Sequence, residues 1–170
     1  MRVAIPAVAA AGALLLVGCS QLGGLGALVQ PPRISTAAGY DAELRVIGPS
    51  AQRPLGGASI RLYARVENPN GFGLRLAHLA GDLLLEGTRA ADVDFPLGLP
   101  LAAQQDTVIP IDIGISFSEL GDLADVASQV LSRNRVNYRL DGTVTLDAGA
   151  LGQPKFGPQT WLSGEARVFR

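Results

Sequence analysis

The chain has 170 residues, 14 of them basic and 15 acidic, for a net charge of −1. Its length suits one domain with a tail. Near-balanced charge, with Lys155 the one lysine and the Arg residues scattered, argues against a nucleic-acid binder or a polybasic membrane patch. The 21 Gly and 11 Pro follow no period, so collagen-like and low-complexity chains are out and strands joined by turns are in.

Residues 1–18 form a separate unit. Arg2 supplies one positive charge, and Val3 to Val17 is an apolar run broken early by Pro6. That is the layout of a secretory signal, with a short basic region followed by an apolar one. The run is shorter than the roughly 20 residues that span a bilayer as a helix. An uncleaved membrane helix or a buried core helix is the alternative reading. Export is expected, with the mature chain starting at Cys19.

The junction Leu16-Val17-Gly18-Cys19 resembles the lipobox of bacterial lipoproteins. The resemblance implies that the Cys19 thiol is acylated and becomes the N-terminus. A lone thiol in an oxidising compartment has no internal disulfide partner, so a lipid thioether also resolves its chemistry. More than one acyl chain is needed for stable anchoring, and lipoproteins carry several. Ser20 follows the cysteine, where many Gram-negative lipoproteins retained in the inner membrane have Asp. The expected site is therefore the outer membrane facing the periplasm, with Cys19 joining the protein to the lipid.

Residues 19–40 read as the lipidated N-terminus and a tether, rich in Gly and interrupted by Pro31-Pro32. Gly23 to Gly26 is not a phosphate-binding loop, because no strand precedes it. The folded domain is expected over 41–170. In ASIRLYARVE, Ile60, Leu62, Ala64 and Val66 alternate with Arg61, Tyr63, Arg65 and Glu67, the pattern of a half-buried antiparallel strand. Asn68-Pro69-Asn70-Gly71 ends it as a turn. Two strands follow, broken near Gly87. Ile109, Ile111, Ile113, Ile115 and Phe117 share one face of the next, and Pro110 belongs at an edge or bulge.

Leu120, Leu123, Ala124, Ala127, Val130 and Leu131 recur at helical spacing, with Ser116 or Ser118 as cap and acidic residues early. This predicts one helix packed over an end of the strand core. Val136, Tyr138, Leu140, Val144 and Leu146 give another strand with a bulge at Gly142, and TWLSGEARVF the last. Six to eight mostly hairpin-connected strands and one helix predict a mostly β protein, an antiparallel β-sandwich with an added α-helix.

Candidate chemistry is sparse. His78, the one histidine, reads as a strand or turn residue at the surface. GISFS at 114–118 lacks the last glycine of the nucleophile elbow. Asp92-Val93-Asp94 lacks the spacing of a Ca²⁺ loop and reads as a solvated turn. Arg61, Tyr63 and Arg65 make a possible binding face, which cross-strand pairing explains as well. No enzyme activity, cofactor or metal site is expected, and a monomer is.

Taken in order, the strand ending in Val66-Glu67-Asn68-Pro69-Asn70, then Gly71-Phe72-Gly73-Leu74, LLLEG, VIPIDIGISF, a helix, VNYRLDGTVTL and GEARV resemble the type 2 late embryogenesis abundant proteins. These contain the WHy (water stress and hypersensitive response) domain. The resemblance implies a fibronectin-III or immunoglobulin-like sandwich and gives Asn68, Pro69 and Asn70 a structural role as the signature turn. It also implies protection of envelope proteins or membranes against drying, cold or heat. The alternative is a lipid-anchored module that docks one periplasmic partner, for instance by strand addition.

Overall fold

The computed structural model describes residues 28–51, 54–117 and 134–169. They are mostly β: β1 (Arg33–Thr36), β2 (Ala42–Ile47), β3 (Gly57–Glu67), β4 (Leu74–Leu85), β5 (Thr88–Leu101), β6 (Asp106–Ser116), β7 (Arg135–Asp147) and β8 (Lys155–Phe169), with a 3₁₀ turn at Gly149–Leu151. The expected helix between Leu120 and Leu131, and Cys19, lie outside the described residues.

The alternation read from β3 is the burial observed: Ile60, Leu62, Ala64 and Val66 are fully buried. β3 pairs antiparallel with β6 along its whole length, from Gly57↔Ser116 to Glu67↔Asp106. Its other edge is shared by two short strands, β2 opposite Gly57–Arg61 and β1 opposite Ala64–Glu67. β2 continues the sheet by pairing in parallel with β8, and β7, β4 and β5 follow. One open sheet of eight strands results, with β5 and β6 at its two ends and the short β1 also paired on one side only, to β3.

β5 and β6 are nonetheless joined by only the short connection 102–105. The sheet must therefore curl so that its two ends meet, turning one apolar face inward. Side chains from distant parts of the strand order face one another inside. Val66 and Ile111 of β3 and β6 line the same gap as Leu76, Leu140 and Leu162 of β4, β7 and β8. That gap measures about 10 Å³, room for about one water molecule. It holds no ligand.

Local chemistry accounts for the strand boundaries. Pro110 sits opposite Tyr63 in β6, an edge strand that tolerates a residue without an N–H. The β4–β5 break falls where expected, at Glu86-Gly87, both with positive φ (48° and 83°) in a two-residue hairpin loop. Gly142 faces Gly81 across β7 and β4. A Cβ on Gly81 would lie 2.0 Å from the Asp141 carbonyl oxygen, and one on Gly142 2.2 Å from that of Ala80. The irregularity expected at Gly142 appears as register shifts against β8 on both sides of it, while its pairing with β4 stays regular.

Two expectations are corrected. The tether does not extend to residue 40, because Val29 and Ala37 are buried and β1 pairs with β3. Apolar burial and ladder hydrogen bonds hold this segment in the domain despite its loop-like composition. Asp92-Val93-Asp94 is not a turn but the middle of β5, with Val93 buried and the carboxylates outward. Arg89 pairs with Asp82 at 2.7 Å and also with Asp92, so charge neutralisation lets the acidic strand form.

Candidate functional site

Where β3 ends, the sheet's curl brings the first described residues and the β5–β6 connection against the turn at 68–73. Asn68 and Asn70 are buried there, at 0% and 3% exposure. Buried polar groups must find partners, and these do. The Asn68 Nδ2 donates to the carbonyl oxygens of Phe72 (2.9 Å) and Ala102 (3.0 Å) and, sharing a hydrogen, to that of Leu101 (3.3 Å). Its Oδ1 accepts from the backbone N (3.0 Å) and Nδ2 (2.9 Å) of Asn70.

Asn70 then reaches the N-terminal segment. Its Oδ1 accepts from Gln30 N at 2.8 Å, and its Nδ2 donates to Gln30 O at 3.1 Å. The backbone adds Asn68 N to Gln105 O and Gln104 N to Asn70 O. Three chain segments far apart in sequence are tied at one point. With both amide groups used inside, the turn ties these segments together as a clamp. Gln30, Ala102 and Gln104 belong to it and could not be read beforehand, because each contributes only backbone atoms.

Arg61, Tyr63 and Arg65 do lie together on the outer face of β3. Arg61 meets Asp112 of β6 through Nε (2.7 Å) and Nη2 (3.0 Å), and Arg65 meets Asp106 at 2.7 Å. The Asp112 carboxylate, by hydrogen bonding and then by its charge, makes the Arg61 guanidinium hold its proton more tightly than usual. Tyr63 lies against Tyr40, ring centroids 4.9 Å apart. A depression of about 340 Å³ beside them is lined by Glu43, Arg45, Ser59, Arg61 and Asp112. Its charges are internally paired, Arg45 with Glu43 at 3.0 Å and Arg61 with Asp112. This face therefore carries little net charge for an ionic ligand.

His78 stands half exposed on β4, its Nε2 2.5 Å from Asp94 Oδ1 on β5. Its cross-strand neighbours are Pro96 and Thr145. Trp161, which sequence reasoning left unassigned, is buried and donates from Nε1 to the Gly142 carbonyl at 2.8 Å, fastening β8 to β7 where their register shifts. Among the described residues, no cluster of three or more His, Cys, Asp or Glu is placed to hold a metal ion.

A mostly β domain with a polar clamp at one end, a near-filled interior and ion-paired outer faces belongs to the class of small strand-built modules. Residues 63–159 match the family described as late embryogenesis abundant protein (LEA_2), and the chain belongs to that family. The matched span runs from mid-β3 into β8 and includes the Asn68-Pro69-Asn70 turn. The solution structure of AT1g01470 from Arabidopsis thaliana is similar, with a TM-score of 0.60 at 17% identity over 82% of this chain and 85% of that one. The solution structure of At2g46140.1, described as a late embryogenesis abundant protein, gives 0.50 at 18% identity over 83% and 73%. At such identities the likeness is one of fold. No curated protein matches the chain in sequence.

Proposed function

We propose that this chain is a lipid-anchored, WHy-type stress protein that shields envelope proteins or membranes during drying or heating. Family membership over residues 63–159 is the observation that carries the reading. In this reading the curled sheet is a fibronectin-III-like or immunoglobulin-like sandwich completed by a helix within 118–133. Acylated Cys19 holds the domain at the envelope, on the outer membrane facing the periplasm. The domain acts as a monomer, through broad weak surface contacts and without catalysis.

The test is drying or heating two unrelated labile enzymes with a version of the chain that starts at Ser20. Starting at Gln30 would remove buried Val29, which packs in the core. Recovery of both enzymes beyond an albumin control supports protection. Recovery equal to albumin overturns it.

The second reading, a docking module, is favoured by the edge strands β5 and β6, each with one ladder neighbour. It predicts one partner captured saturably, by strand addition. The paired charges of Arg61 and Arg65 make that outer face the weaker docking candidate.

A further inference from the structure

The two ends of the sheet differ in charge. At one end meet residues 28–32 (LVQPP), 68–73 (NPNGFG), 102–105 (AAQQ) and 148–154 (AGALGQP). The clamp joins the first three, and the pairings Leu74↔Leu101 and Arg75↔Asp147 bring in the fourth. None of the four contains Asp, Glu, Lys or Arg. Among the described residues, the opposite end carries Glu86 in the β4–β5 loop and Arg135 at the start of β7, which pairs with Glu165.

The neutral end also presents apolar surface. Leu28 is 65% exposed, Gly71, Ala102, Ala103 and Ala150 are exposed, and Phe72 is half-buried behind them. Of the charged residues that border these loops, Arg33 pairs with Glu67 and Arg65 with Asp106, while Arg75 and Asp147 face each other across β4 and β7 and Lys155 opens β8.

We infer that this uncharged end is a membrane-contact surface, resting on the lipid bilayer that holds Cys19. The inference depends on the lipid-anchor reading. Leu28 lies nine residues after Cys19, a reach of at most about 30 Å at 3.3–3.6 Å per residue. The chain thus enters the domain at its uncharged end. Charged groups resist leaving water for a low-dielectric boundary, whereas neutral and apolar ones do not, so this end loses least on approach. Tethering holds the end at high local concentration, so a contact too weak to recruit free protein still persists. Without a basic cluster, the contact is apolar and insensitive to salt and to anionic lipid.

The test uses the full acylated chain in vesicles of phosphatidylethanolamine and phosphatidylglycerol. A fluorophore is placed by Ala103→Cys at the neutral end or, as control, by Leu55→Cys, also 65% exposed, at the far end. Headgroup-level nitroxide lipid should reduce fluorescence at position 103 and leave position 55 unchanged, at low and high salt alike. Leu28→Glu with Ala102→Glu, both exposed positions, should abolish the loss at 103 while the protein still floats with vesicles. Equal quenching at the two sites, or none at 103, with flotation and an acylated N-terminus by mass spectrometry, overturns the contact and leaves the anchor standing. An unmodified Cys19 and no flotation overturn both.

Discussion

Truncating Asn68 to alanine tests whether the Asn68-Pro69-Asn70 turn is a clamp. The side chain is fully buried and engages Phe72 O, Ala102 O, Asn70 N and Asn70 Nδ2 at 2.9–3.0 Å. Asn68→Ala removes all four bonds and strands backbone groups that water reaches poorly. At about 1 kcal/mol net per bond, the loss is roughly 3–4 kcal/mol. For a domain of this size that is a fall in Tm of roughly 10–15 °C. Urea unfolding followed by circular dichroism, on the version starting at Ser20, should show a lower midpoint with the slope unchanged. Asn70→Ala should cost roughly 2–3 kcal/mol, through the paired bonds to Gln30. The double variant should lose less than the sum, since the two side chains share a bond. A loss below about 1 kcal/mol for Asn68→Ala, or strict additivity, would refute the clamp.

Three other perturbations follow from the same structure. Gly142→Ala would drive a Cβ to 2.2 Å from the Ala80 carbonyl oxygen, so β4 and β7 must separate; loss of soluble protein or of the β-sheet circular dichroism signal is expected, and wild-type stability would contradict it. Arg61→Ala breaks a pair in which both side chains are about half exposed, so stability should hardly change, read as a urea midpoint close to that of the wild type. Starting the chain at Ala38 instead of Ser20 deletes β1, buried Val29 and both Gln30 bonds; a loss of several kcal/mol is expected from the combined burial and hydrogen bonds, measured in the same unfolding assay.

The parts of this fold that could be read beforehand are those whose physics is local. Strict two-residue alternation marks β3, β6 and β7 because each has one buried face, and the positive φ needed at Gly87 marks the hairpin between β4 and β5. β1 gave no such signal. Its four residues, Arg33–Thr36, include none that is fully buried, and its place depends on β3 and on Gln30 reaching Asn70. Parallel closure of β2 on β8 is likewise invisible locally, since it joins segments more than a hundred residues apart. Asp92-Val93-Asp94 misled because turn-forming residue types were weighed without their partner; Arg89 makes the strand tolerable.

The same distinction bears on function. An asparagine pair in a turn invites a binding role when read alone, as polar side chains do in exposed loops. In the folded chain Asn68 and Asn70 spend their hydrogen-bonding capacity on Phe72, Ala102, Gln30 and each other. What the Asn68-Pro69-Asn70 turn does in this chain is therefore to join three distant segments, with its amide groups turned inward. The charged outer face is compensated pair by pair, while the interior gap is about 10 Å³. Among the described residues, that leaves the sheet edges and the uncharged loop end as the surfaces open to the proposed protective or docking contacts, and the clamp joins three of the loops of that end.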